Sequence, residues 1–189
     1  MLDSEFALIS GEYRVSLSSD LYTPAQRARR NKSGWTLVQG VLAPLQFVVF
    51  LISVGLIVRF LWTGEGESVA TLSVLLKTFV LYLIMVTGAV WEKEVFGQYL
   101  FVPAFFWEDV VSVVVLALHT FYIVALFNDL LEPRALMWLA LIAYLSYVIN
   151  AAQFLIKFRL ARAGHTNSAK PVLPEQRTEF QLLTERQGG

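Results

Sequence analysis

Four stretches of this chain, roughly 37–61, 69–90, 107–127 and 135–156, are apolar over the length of about 20 residues that crosses a bilayer as a helix. That feature removes most folds from consideration. In hydrocarbon no water bonds the backbone, so each stretch must satisfy its own amides, and a helix does this within one segment. The predicted fold class is an all-α integral membrane protein with four transmembrane helices. The links TGEGES, after the first span, and NDLLEPR, after the third, are too short for another domain. The polar start and the length of the first apolar run argue against a cleaved signal peptide. The expected organisation is a flexible tail at 1–20, one membrane domain over 21–160, and a second flexible tail at 161–189.

Positive charge sets the expected orientation. Arg27, Arg29, Arg30 and Lys32 precede the first span, and Lys157, Arg159 and Arg162 border the end of the fourth. The first and third links carry Glu65, Glu67, Asp129 and Glu132, with Arg134 their one basic residue. Both termini are therefore expected in the cytoplasm, together with the link between the second and third spans. Arg27–Arg30 also suits contact with anionic lipid headgroups, at about 1 kcal/mol per charge. Cysteine is absent, which excludes disulfides, thiolate metal sites and iron–sulfur ligation. The net charge is zero, so no basic footprint points to nucleic acid.

The link between the second and third spans is unlike the other two. WEKEVFGQYLFVPAFFWEDV, Trp91 to Val110, sets Glu92, Lys93, Glu94, Glu108 and Asp109 among Trp91, Phe96, Tyr99, Phe101, Phe105, Phe106 and Trp107. Charge at the rim of a span is costly unless paired, hydrated or used. Four acids at one membrane face exceed what packing requires, although Lys93 and Lys157 can pair with some. The combination suits a flat, apolar ligand held beside carboxylates.

Polar residues also punctuate the spans. Gln39 and Gln46 share a face of the first, with Pro44 between them, where a proline frees a carbonyl one turn earlier. Tyr147, Asn150, Gln153 and Lys157 follow i+3 and i+4 steps along the fourth. Glu108, Ser112 and His119 share a face of the third, with His119 about 16 Å deeper than Glu108. Lys77 lies about 10 Å inside the second, at a depth similar to His119. Each has a plainer reading: Asn150 and Gln153 as interhelical hydrogen-bond glue, Lys77 snorkelling outward, His119 as a hydrogen-bonded packing residue.

The blocks LYTPAQRARR, WTLVQGVLAPLQFVVFLIS, VTGAVWEKEVFGQYLFVPAFFWEDVVS, LALHT and YVINAAQFLIK, running over about 21–160, resemble the 3-vinyl (2-vinyl in older naming) bacteriochlorophyllide hydratases, small membrane proteins of anoxygenic phototrophs. VWEKEVFG followed by PAFFWEDVVS is the specific part of the match. The resemblance implies hydration of the C3-vinyl group of a chlorophyllide-type pigment to 3-(1-hydroxyethyl), in bacteriochlorophyll synthesis. It implies a multi-pass protein of the bacterial inner or intracytoplasmic membrane, with pigment, water and lipid as partners and no cofactor. A second copy, or another pigment-biosynthesis enzyme, is a partner the sequence leaves open.

Such a reaction needs an acid, a base for water and a slot for the macrocycle. Burial and neighbouring carboxylates keep an acid protonated near neutrality, so Glu108 or Glu92 is the expected acid and Asp109 or Glu94 the base. Trp91, Phe105, Phe106 and Trp107 are expected to stack on the pigment, with Asn150 and Gln153 also lining its site and Lys93 or Lys157 meeting its propionate. No protein-bound metal is expected; His119 is a candidate ligand for the pigment's own magnesium. Two rival readings use the same residues: a pigment carrier without chemistry, and a transporter relaying protons through Lys77, His119, Asn150 and Gln153. The transporter reading lacks the inverted repeat such proteins show.

Overall fold

The structure, a computed structural model, describes residues 21–168, with side chains through Arg159. The expected tails at 1–20 and 161–189 thus lie outside the described residues, apart from the helical backbone of 161–168. The chain divides into a body of residues 21–155 and a second unit, of which 156–168 are described as the continuation of the last helix.

The described residues form five helices: α1 Pro24–Lys32, α2 Gly34–Thr63, α3 Glu67–Phe96, α4 Phe106–Phe127 and α5 Pro133–Ser168. Four of these are long and apolar enough to cross a membrane, over Gly34–Thr63, Glu67–Phe96, Phe106–Phe127 and Pro133–Arg159. The short α1 begins with a local device: Thr23 accepts from the Gln26 amide, the Gln26 side chain accepts from the Thr23 amide, and Pro24 takes the first helical position. α2 continues through Pro44, so the proline frees a carbonyl without ending the helix. α3 runs two turns beyond the expected end of its span and stops where Gly97 adopts φ 90°, its N–H donating to Lys93.

Cross-helix contacts fix the arrangement. From α2 to α3, Thr36 meets Trp91, Gln39 meets Thr87 and Ser53 meets Ser73, so the chains run in opposite directions. Lys77 with His119 and Glu92 with Asp109 set α3 against α4 in the same way. Ser112 with Asn150 and Phe105 with Phe154 do so for α4 and α5. Ser53 with Tyr144 and Phe50 with Tyr147 close the ring between α5 and α2. The result is an up-down-up-down four-helix bundle.

Each span turns one stripe inward. On α2 it is Leu42, Gln46, Phe50, Ser53, Ile57 and Phe60, and on α4 Glu108, Ser112, Val115, His119, Tyr122 and Ala125, both at i+3 and i+4 steps. The remaining faces expose large apolar side chains, among them Leu51, Ile52, Phe79, Val86, Phe121, Leu145 and Ile149, as suits helices solvated by lipid. Tyr22, α1, the start of α2, the end of α3 and the start of α4 all gather at one end of the bundle.

Candidate active site

At that end the extension of α3 matters most. Because α3 continues to Phe96, Glu92 is carried on its buried face rather than in a loop. The return from Gly97 to Phe105 then brings Asp109, in the first turn of α4, against it. The Glu92 and Asp109 carboxyls are hydrogen-bonded to each other. Two ionised carboxylates have no hydrogen to share, so a bond between them requires one proton.

The surroundings decide which partner carries it. Asp109 Oδ2 accepts the Phe101 backbone N–H at 2.7 Å, and Asp109 sits in the first turn of a helix, where negative charge is favoured. Both features stabilise its anion. Glu92 has neither, and its Oε2 is buried with no hydrogen-bond partner. Glu92 is therefore the partner better suited to carry a proton, and Asp109 the one better suited to accept from it. Phe101 adopts φ 59°, a left-handed conformation costly for a non-glycine residue, and the bond to Asp109 helps hold it there.

Next to the pair, Glu108 and Ser112 are buried on the inward stripe of α4. Asn150 Nδ2 donates to Ser112 Oγ at 2.8 Å, while Asn150 Oδ1 and Gln153 Oε1 are buried without partners. Among the described residues only five buried side-chain polar atoms lack a partner, and three of them are Glu92 Oε2, Asn150 Oδ1 and Gln153 Oε1. Unpaired buried oxygens cost stability unless something binds them.

The expected aromatic slot divides into two groups. Trp91 and Phe105 pack with Phe96 and Phe154 at ring separations of 5.8–5.9 Å, and Tyr22 completes the cluster, stacked on Phe96 at 5.6 Å with the Arg30 guanidinium over its ring. Trp91 Nε1 is fixed by Thr36 Oγ1. Phe106 and Trp107 point outward, Trp107 with 70% of its surface exposed. Tyr22 and Phe154 were not singled out from the sequence. Tyr22 lies beside the capping signal TPAQ, which marks a helix start and therefore a fixed position for the residue before it.

Other predicted residues are placed elsewhere. Glu94 is exposed on the opposite side of α3 and accepts from Ser33 Oγ. Lys93 is exposed, donates to the Gly97 carbonyl at the end of its own helix and lies 5.2 Å from the Tyr99 ring. Lys157 belongs to the second unit and is half-buried there. His119 is fully buried deep in the bundle, and Lys77, also fully buried, turns inward to it instead of snorkelling. His119 Nδ1 lies 2.8 Å from the Val115 carbonyl, which can only accept, so Nδ1 carries the hydrogen and Nε2 accepts from Lys77 Nζ at 3.1 Å. Both ring nitrogens are thus engaged. Lys77 Nζ also lies 3.9 Å from the Tyr147 ring centroid.

Among the described residues no three His, Cys, Asp or Glu side chains are grouped to hold a metal ion. Chemically, the site offers a buried acid able to give one proton and recover it, polar acceptors one helix away, and a rigid aromatic wall.

Comparison with known proteins gives a consistent picture. A family described as 2-vinyl bacteriochlorophyllide hydratase matches residues 22–160. A 2-vinyl bacteriochlorophyllide hydratase of Cereibacter sphaeroides is 65% identical over 143 residues, 75% of this chain and 88% of the relative. One of Rhodobacter capsulatus is 62% identical over 143 residues, 75% of this chain and 82% of the relative. No solved structure matches the chain.

Proposed function

Because the chain belongs to the 2-vinyl bacteriochlorophyllide hydratase family, we propose that it adds water to the C3-vinyl group of a chlorophyllide- or bacteriochlorophyllide-type pigment, giving the 3-(1-hydroxyethyl) product, in bacteriochlorophyll biosynthesis. The observation that carries the mechanism is the pair of neighbouring carboxyls, Glu92 and Asp109, buried at one end of the bundle.

Glu92 donates a proton to the terminal CH2 of the vinyl group. The new C–H bond takes the π electrons, leaving a cation on the carbon attached to the ring, where the macrocycle delocalises it. Water forms a C–O bond at that carbon and loses a proton to the carboxyl pair, which returns to its starting state. The net change is one water added, with nothing oxidised or reduced. Asp109 stays anionic throughout, so it both orients the acid and stabilises the developing positive charge. Glu108 is buried one residue away on the inward stripe of α4. Positioned acid–base groups of this kind supply about 100- to 10,000-fold in rate.

Trp91 and Phe105 form the wall beside which the macrocycle lies, with Asn150 and Gln153 on the facing helix. Lys93, released from its helix end, is suited to the pigment's propionate. His119 is already occupied by Lys77 and Val115, which supports a packing role over magnesium ligation. Both termini and the carboxylate end face the cytoplasm of a bacterial inner or intracytoplasmic membrane, supported by Arg27, Arg29, Arg30 and Lys32 at that end and the acidic opposite link.

The experiment is incubation of membranes holding the protein with the 3-vinyl pigment in water labelled with oxygen-18, followed by mass spectrometry. The pigment is expected to gain one labelled water. Pigment that binds without gaining mass would instead establish a carrier.

A further inference from the structure

Three of the five unpaired buried oxygens, those of Glu92, Asn150 and Gln153, come from two helices, and their placement is what makes them informative. Ser112 and Asn150 are joined by a hydrogen bond of 2.8 Å, which sets the register between α4 and α5. Three residues toward the carboxylate end, α4 presents Asp109 and α5 presents Gln153. Phe105 of α4 and Phe154 of α5, stacked at 5.9 Å, keep the two helices together at this end. Gln153 is therefore level with the Glu92–Asp109 pair, and Asn150 is one turn deeper on the same face of α5.

Asn150 is nine-tenths buried, and its amide has a donor side that is used and an acceptor side that is not. Turning the amide over changes nothing essential. The Ser112 hydroxyl can donate as well as accept, and one amide group would still lack a partner. Gln153 likewise keeps its Oε1 buried and unpaired. Neighbours at i and i+3 on a helix stand about 5–6 Å apart at Cβ, and rotation of the side chains beyond Cβ can set their oxygens at the roughly 4.5 Å that two bonds of about 2.8 Å to one bent water require. Apolar residues at these positions would pack the same helix interface without leaving oxygens unpaired.

We infer that Asn150 and Gln153 form the water site of the reaction: their side-chain oxygens accept the two O–H groups of one water, leaving its lone pairs directed at the ring-attached cation. Ser112 holds the Asn150 amide in orientation. When the C–O bond forms, the oxygen becomes a strong acid, one O–H swings from its amide to the Glu92 carboxylate and gives up its proton there, and the pair is restored. The inference rests on the hydratase reading, and it separates two steps: the carboxyl pair makes the cation, and the amide pair captures it.

That separation is measurable in heavy water, using the full chain in membranes and the 3-vinyl pigment. A cation that is formed but not captured returns a proton from its methyl group and reverts to vinyl, leaving deuterium on the terminal carbon of recovered substrate. In Gln153→Leu and Asn150→Leu, hydration is expected to fall about tenfold, the effect of losing one hydrogen bond to the captured molecule. Vinyl deuteration is expected to rise relative to hydration by at least that factor. Gln153→Glu keeps an acceptor oxygen and is expected to retain capture. Variants with both rates unchanged, or with hydration and exchange lost together, would overturn the water site. A wild-type protein that neither hydrates nor exchanges would remove the hydratase reading itself, a separate result.

Discussion

Two buried polar clusters occupy this bundle, and they are built in opposite ways. In the deep one, His119 is bonded at both ring nitrogens, Lys77 is bonded to it and set over the Tyr147 ring, and Ser53 links Tyr144 to Ser73. At the carboxylate end, Glu92, Asn150 and Gln153 each keep a buried oxygen without a donor, and two acids stand side by side. A closed network holds helices in register. An open one in an apolar bundle costs stability and persists where a ligand completes it. Burial of polar groups therefore separates the two clusters less well than whether several neighbouring groups are left unsatisfied together.

The largest effect should come from the open cluster. Glu92→Gln removes the transferable proton but keeps the shape, and turnover is expected to drop about 100- to 10,000-fold, with thermal unfolding little changed. Wild-type turnover in that variant would erase the contrast. His119→Ala should behave the other way, because it leaves a cavity and strips Lys77 of its acceptor. It is expected to cost about 2–4 kcal/mol of stability, read from unfolding in detergent, with turnover per folded molecule retained. Loss of pigment affinity at unchanged stability would instead make His119 a ligand.

Smaller changes sharpen the boundary. Trp91→Phe deletes the bond from Nε1 to Thr36 while keeping most of the ring, at about 1 kcal/mol in stability. Trp107→Ala, on an outward-facing side chain, should shift stability by no more than about 0.5 kcal/mol and leave turnover unchanged. A large loss of turnover there would return Trp107 to the pigment slot expected from the sequence.

The four spans were legible because length and apolarity determine them in lipid, and the four observed helices contain the expected ranges. The shared face of Glu108, Ser112 and His119 was legible from helical spacing, and the similar depth of Lys77 and His119 anticipated their contact. Two features were harder to read. The end of α3 depends on Gly97 and on Phe101 being held by Asp109, so Glu92 reads as a loop acid until that tertiary bond is seen. The aromatic residues between Trp91 and Trp107 look equivalent in sequence, yet the turn into α4 sends Phe105 inward and Phe106 and Trp107 outward. By contrast α1 announces itself through Thr23, Pro24 and Gln26, a signal present but unused in the reading of the spans.

Infrared spectroscopy of the protein in membranes at neutral pH tests the central claim most directly, that Glu92 and Asp109 hold one proton between them. A protonated-carboxyl carbonyl band that shifts in heavy water and vanishes in Glu92→Gln is the predicted result. A wild-type spectrum without that band, or one left unaltered by Glu92→Gln, would contradict it.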